Sequence, residues 1–420
     1  MYLCSRKEYI YNSSGKQLIM KSEQPTCLQV AIVGGGAAGF FTAIRLKEIM
    51  GSKVRVTIFE SGERVLRKVE ISGGGRCNCT NSFALVTDLQ QVYPRGHRLM
   101  KRLMKGFSQK DAYEWFEHHG VKLTTQDDEC VFPQSQDSHT IINMFLNEAQ
   151  QLGIEIRTKQ KISSLDTLKE YDNIVIAIGG FQRDESLKWL QHEIVTPIPS
   201  LFTFAINDLQ LHELMGTVAE HATAILPGTK MRGEGPLLVT HWGMSGPCIL
   251  RLSSYAAHLL AEHNYQMPLN INWISHTEAE THNELLDITI RNAQKMVMTI
   301  RPFNITQRLW SYLVQKSLGS GRCNSRWGEL SKKELNRLTN TLINDTYQIA
   351  GRAPFKDEFV TCGGISLSAV DASTLESKSR PGVYFTGEIL DIDGVTGGFN
   401  FQAAWTTAYT VAEAIGRKIQ

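Results

Sequence analysis

Two hydrophobic periods alternate along the first 60 residues. Residues 29–33 form a strand-sized apolar stretch, and after a glycine-rich turn Phe40, Ala43, Ile44 and Leu46 recur along one helix face as far as Met50. Gly51 offers a helix stop, and residues 54–59 read as a second strand ending at Glu60. This order predicts a complete β-α-β unit. Ser108 is placed to cap a helix through Trp115 and Phe116 that stops at Gly120. Ser138 is placed to cap another, carrying Ile142, Phe145, Leu146 and Ala149, that stops at Gly153. Residues 154–157 and 174–178 read as strands. From about Pro197 prolines punctuate short β-rich stretches such as 237–240 and 269–274. Helical spacing returns beyond Glu278, over 305–314 and after the capping box of Ser331 and Glu334. Near Phe359 the glycine-rich strand-and-turn style resumes. The expectation is an α/β domain over 28–196 and 356–420, interrupted by a β-then-α insertion over 197–355 and preceded by a polar tail over 1–27.

Of the 420 residues, 42% are hydrophobic and 20% charged, which supports a sizeable core and excludes a disordered or collagen-like chain. Lys and Arg number 44 against 42 Asp and Glu, a net +2 that does not point to nucleic acid or an acidic membrane as partner. No apolar run approaches the roughly 18 residues of a membrane span. The first residues lack the apolar stretch of a signal peptide, and Met20 offers an alternative start shortly before the first strand. Eight scattered cysteines then read as reduced thiols of a cytoplasmic protein. Cys77 and Cys79 form a C-x-C, but no second Cys or His pair stands at zinc spacing, so no metal site is expected.

Three glycine-rich segments carry the candidate chemistry. Gly34-x-Gly36-x-x-Gly39, with Ala38 inside it, follows a strand and opens a helix, and Glu60 closes the next strand about 20 residues on. Such a turn lets a pyrophosphate approach the backbone at Gly36, with free helix amides holding its charge and Glu60 accepting from the adenosine ribose. A carboxylate there disfavours a ribose 2′-phosphate, and so NADP, in this pocket. The second segment, Arg67, Lys68 and then Ser72, Gly73, Gly74, Gly75, Arg76, Cys77 and Asn78, can pass flat against a large ligand with several N–H groups exposed and cations near the pyrophosphate. This points to FAD, because a dehydrogenase would continue the βα alternation. The third segment is a strand closed by Gly387 and Glu388, then a loop through Gly398, Asn400, Phe401 and Gln402 into a helix. Glu388 would accept from the ribityl chain, and the helix start would stabilise charge on the N1/C2-carbonyl edge of reduced flavin. Asp391-x-Asp393-Gly394 invites a calcium reading, which the spacing does not support.

With these residues assembled, the chain resembles the BaiN/YhiN-like flavoproteins, the aminoacetone oxidase family of FAD-binding enzymes. The resemblance is carried by VAIVGGGAAGFFTAI, RKVEISGGGRCNCTN, LLVTHWGMSGPCIL, GGISLSAVDASTLESK and PGVYFTGEILDIDGVTGGFNFQAAW. It implies a glutathione-reductase-like FAD-binding Rossmann domain interrupted by an inserted β-barrel plus helical domain, extended FAD, and oxidoreductase activity. It assigns Gly34, Gly36, Gly39 and Glu60 to the dinucleotide, the loop from Ser72 to Asn78 to the flavin's vicinity, and Gly387, Glu388, Gly398, Asn400 and Gln402 to the C-terminal flavin site. The turn at Gly179 is similar to the family's small-residue turn packed on FAD. Phe399 and Phe401 stand where the family carries Tyr and Leu.

Substrate is expected between the FAD domain and the insertion, since ligands favour domain interfaces. His241 is the candidate proton donor or relay, or else a buried histidine bracing a turn. Cys77 lacks the partner spacing of a disulfide reductase. With no second Gly-x-Gly-x-x-Gly unit, NAD(P)H would bind only transiently at the flavin. The expected function is a FAD-dependent oxidoreductase acting on a small molecule by hydride transfer at N5. It would either reduce an unsaturated compound with NAD(P)H or oxidise an amine-like metabolite with oxygen. An FAD-containing RNA-modification protein and a non-catalytic flavin binder are the alternatives, and oligomeric state is left open.

Overall fold

Strands that read as near-continuous apolar runs are those a sheet buries on both faces. The computed structural model describes residues 10–11, 17–18, 27–180, 184–353 and 360–418. In it, α1 (Ala37–Met50) joins β1 (Leu28–Val33) to β2 (Val54–Phe59), and these strands pair in parallel with β3 (Glu155–Arg157), β4 (Asn173–Ile176) and β13 (Val383–Phe385). The order β13-β4-β1-β2-β3 puts the N-terminal strand at the centre and brings the last strand of the chain to one edge. Val30, Ile32, Val56, Ile58, Val175 and Ile176 are wholly buried. The C-terminal helix α7 (Phe399–Arg417) lies along α1, where Trp405 and Trp115 flank Phe41, and Arg45 bonds Glu413 at 2.7 Å. Of the tail expected over 1–27, the described residues include a short antiparallel pair, Ile10–Tyr11 with Gln17–Leu18, whereas Met20 lies outside them.

Ser108 caps the helix Gln109–His118 with a reciprocal box to Asp111. Ser138 does not cap the next one. Its hydroxyl donates to the Glu70 carbonyl at 2.8 Å, and the Asp137 carboxylate accepts from the His139 N–H in its place. A longer-range acceptor wins the hydroxyl, and the neighbouring acid is free to take the helix end.

The chain leaves this layer through β5 (Ile194–Ser200) and returns through β12 (Val360–Ile365), which pair antiparallel. Between them β6 (Phe204–Ile206), β7 (Val218–Ile225), β8 (Arg232–Thr240), β9 (Gly243–Ser245), β10 (Met267–Asn272) and β11 (Asp345–Arg352) close an antiparallel barrel in the order β6-β9-β8-β7-β10-β11. Alternate side chains fill it, among them Phe204, Ala224, Leu237, Met244, Leu269 and Ile349. Helix α3 (Pro247–Tyr255) packs on β8, while α4 (Glu278–Arg291), α5 (Gln307–Leu318) and α6 (Lys332–Ile343) form a second lobe around Trp310 and Trp327, stacked 6.1 Å apart. No helix among the described residues is long and apolar enough to cross a membrane.

Barrel and parallel layer meet across a buried polar seam. Arg95 donates through Nε to Asp393 at 2.5 Å and through Nη2 to its other oxygen, while Nη1 reaches the Ser254 carbonyl at the end of α3 at 2.8 Å. Ser200 at the end of β5 donates to Asp393 at 3.0 Å, and Tyr255 donates to the Gln91 carbonyl at 2.7 Å. Asp393 is wholly buried, so this pair locks three segments distant in sequence. Beside it Asp391 buries Oδ1 with no partner, and burial, then the Asp393 charge, push its carboxyl up from the ordinary range.

Two predictions follow from this seam. Asp393→Ala leaves the Arg95 guanidinium buried and unpaired, so a loss of about 3–5 kcal/mol is expected in urea unfolding; a loss below about 1 kcal/mol would show that the pair does not hold the seam. Asp391 binds its proton more tightly folded than unfolded, so its favourable contribution exists at acid pH and is lost as pH rises through the raised value. Asp391→Asn is therefore expected to raise the melting temperature at pH 7, with the gain shrinking as pH falls toward 4.

Candidate flavin site

The turn between β1 and α1 separates two uses of glycine. Gly34 has φ +118°, and a Cβ there would overlap the Ala177 carbonyl at the end of β4. Gly36 has ordinary extended backbone, and a Cβ on it would meet nothing within 4 Å. Gly34 is thus demanded by the fold, while Gly36 borders open space. Ala38 is buried behind it, and Gly39 backs directly onto the Gly34 carbonyl. Helix α1 has no side-chain cap and no acid in its first turn. Its free N–H groups and positive dipole end face that space, which is the chemistry of a phosphate cradle.

Glu60, at the tip of β2, is held in place by backbone donors. Gly35 N–H reaches Oε2 at 2.9 Å and Gly62 N–H reaches Oε1 at 2.7 Å, with the Ser61 hydroxyl on Oε1 at 3.2 Å. A carboxylate has about four acceptor sites, so it retains capacity for a ribose hydroxyl.

Helix α2 (Arg67–Gly75) breaks at Ser72, after which Gly73, Gly74 and Gly75 all have positive φ, from 57° to 82°. Cβ atoms on Gly74 and Gly75 would meet nothing, and this open run of amides suits close passage of a flat ligand. Arg67 and Lys68 are exposed. Arg76 lies over the Phe132 ring at 4.2 Å and donates to the Gly73 carbonyl and Gln136, bracing the loop. Cys77 and Cys79 are wholly buried with their sulfurs 3.8 Å apart, and burial, then Cys77, push the Cys79 thiol up, so Cys79 reads as an inert packing thiol.

The C-terminal segment closes onto both loops. Lys68 pairs with Glu388 at 2.6 Å across 320 residues, and the other Glu388 oxygen accepts from the Thr361 N–H at 2.9 Å, with Gly179 and Gly180 alongside. A Cβ on Gly387 would touch Ala38. Oriented to satisfy both ends of its amide, Asn78 donates to the Thr80 carbonyl and accepts from the Gly398 N–H at 3.1 Å. Gly398 opens α7 with no side-chain cap. Asn400 clamps Gly394 through both its amide groups at 2.8 Å, Phe401 stacks on Trp405, and buried Gln402 bridges Thr80 and Thr406. The side chains of Asn400 and Gln402 shape the loop from behind, so what they present forward is backbone.

Of the residues singled out from sequence, those of the turn at 34–39, the loop at 67–78 and the segment at 387–402 are brought together. His241 is carried elsewhere, exposed in the two-residue turn between β8 and β9 beside Trp242, so the expectation of a buried brace does not hold. The seam residues Arg95, Asp391 and Asp393 were not singled out for this role. Nor was His258, 3.4 Å from Cys362, whose thiol burial pushes up to about 12. Among the described residues no cluster of metal ligands exists. Two uncapped helix ends, open glycine amides and an anchored carboxylate together fit an extended dinucleotide bearing an isoalloxazine.

The HI0933-like protein Rossmann domain model matches residues 28–414. The ribosomal RNA dihydrouridine synthase of Haemophilus influenzae is 25% identical over 92% of this chain and 98% of its own length. The 3-dehydro-bile acid delta(4,6)-reductase of Clostridium scindens is 25% identical over 93% and 99%. Among solved structures, 3-ketosteroid delta1-dehydrogenase from Sterolibacterium denitrificans aligns over 93% of this chain and 99% of its own, at 10% identity and a TM-score of 0.48. The chain belongs to the HI0933-like Rossmann family, the BaiN/YhiN-type FAD-dependent oxidoreductases.

Proposed function

We propose that this flavoprotein reduces a carbon–carbon double bond conjugated with a carbonyl, with NAD(P)H as a transient electron donor. The observation that carries this reading is what the two relatives' names have in common. A 3-dehydro-bile acid unsaturated at positions 4 and 6 and a uracil ring both place C=C beside C=O, and both named reactions saturate it.

In this reading the open amides of α1 at Gly36 hold the pyrophosphate, and Glu60 accepts from the adenosine ribose. The amides of residues 73–75, with Arg67 and Lys68, flank the cofactor, and Glu388 accepts from the ribityl chain. The α7 terminus at Gly398, set in place by Asn78, Asn400 and Gln402, offsets negative charge on the ring. FAD, when bound, supplies hydride transfer at N5. Saturation also needs a proton at the neighbouring carbon, and His241, carried away from the flavin residues on the exposed barrel turn, is not placed to give it.

An anaerobic titration with NADH and then NADPH tests the reading. Bleaching of the oxidised-flavin band, and its return on adding a cyclic enone with one equivalent of saturated product, are expected. A band that persists with both nucleotides but bleaches with amines would replace this reading with an amine oxidase. At Gly36 the fold and the cofactor make opposite demands. Gly36→Asp would cap α1 and raise the stability of the flavin-free protein by a few tenths of a kcal/mol, approaching about 1 kcal/mol with the charge at the positive helix end. It would also set a carboxylate against the pyrophosphate, and FAD affinity should fall about a hundredfold by fluorescence titration. Unchanged affinity would remove the α1 turn from the site.

A further inference from the structure

The near-neutral whole-chain charge conceals a segregation. Residues 291–343, the helical lobe from the end of α4 through α6, hold ten Lys and Arg against two Glu and no Asp, so the rest of the chain carries a deficit of six. Three of the ten have carboxylate partners: Arg291 with Asp287, Lys316 with Asp345, and Arg322 with Glu334. Lys295, Arg301, Arg308, Arg326, Lys332, Lys333 and Arg337 have none within ion-pair distance among the described residues.

An open groove of about 420 Å³ runs between α5 and α6 in this lobe. Lys333, Asn336, Arg337, Asn340 and Thr341 line it from α6, at the i, i+3, i+4 spacing of a single helix face. The opposite face, Leu335, Leu338 and Leu342, is buried, so the groove face contributes nothing to the core. Lys333 and Arg337 repel each other one turn apart, and Glu334, the only acid on the helix, is taken up by Arg322 and the Ser331 cap. The groove face thus holds cations, amides and a hydroxyl, with neither an acid nor an apolar side chain.

We infer that this groove is an electrostatic docking surface for the phosphate backbone of structured RNA. Unpaired cations in a row neutralise successive phosphates, and side-chain amides reach sugar hydroxyls. The stripe has no aromatic side chain on which unstacked bases could lie, so it suits the regular backbone of a helical segment over a single strand. It also has no apolar side chain to enter a bilayer. The inference rests on the reductase reading, because RNA held here is a source of uracil rings, one of the acceptor types that reading allows.

The test uses the flavin-loaded full chain, a fluorescent hairpin RNA and anisotropy across a KCl series. Lys333→Gln with Arg337→Gln, both exposed, is expected to weaken binding about tenfold and to lower the slope of log K against log[KCl] by about two. Lys101→Gln with Lys105→Gln, a charge-matched pair on the parallel layer, is expected to change neither. The inference is overturned if the hairpin does not bind at low salt, or if both pairs weaken it equally. It is also overturned if phosphatidylserine vesicles, and not the hairpin, bind in a groove-dependent way. Cyclic-enone turnover measured in parallel separates the two readings: turnover without RNA binding removes the groove alone, and groove-dependent RNA binding without turnover removes the reductase reading alone.

Discussion

Backbone N–H groups at a helix start need acceptors, and at α1 the chain supplies none from its own side chains. Much of the surrounding structure is arranged about that deficiency. Gly34 lets the turn press against the end of β4, Glu60 is pinned by Gly35 and Gly62 at the rim, and α7 lies along α1 with its own uncapped start directed to the same region. A helix left this way is less stable without a ligand, so cofactor affinity and fold stability are linked: what binds only the folded chain stabilises it.

The seam supplies the complementary constraint. A barrel tethered by β5 and β12 alone would sample many orientations relative to the parallel layer. Arg95, gripping Asp393 and Ser254 together, favours one of them. Its energy resides in geometry more than in charge, since desolvation consumes most of what a buried ion pair gains. The Asn400 clamp on Gly394 extends that geometry to the start of α7, coupling the barrel's position to the flavin side of the fold.

The β-α-β unit was legible because local periods and a following acid suffice to specify it. The local pattern showed the barrel only as a proline-punctuated β-rich region, since closure depends on pairings such as β6 with β11 that no local pattern reports; the barrel itself was expected from the family resemblance. Ser138 shows how a local rule fails when a distant acceptor, here the Glu70 carbonyl, competes for the same hydroxyl. Arg95 and Asp393 stand 298 residues apart, and Asp391-x-Asp393 was weighed only as a cation loop, so nothing in the chain announced the pair. Asn400 and Gln402 were recognised as belonging to the third segment, while the direction their side chains take is decided by Gly394, Thr80 and Thr406. The basic lobe went unseen because a total of +2 averages a short basic segment against an acidic remainder.

The Lys68–Glu388 pair carries a consequence in time. A ribosome releases residues in order, and domains ordinarily fold as they emerge. Here the first dinucleotide turn is complete early, yet edge strand β13, Glu388 and α7 are the last parts made, after the whole barrel. The parallel layer therefore waits, one edge open, while the insertion is synthesised. Loading of the flavin is in this sense a post-translational event, and a chain truncated anywhere before residue 388 would carry half a cofactor site with nothing to close it.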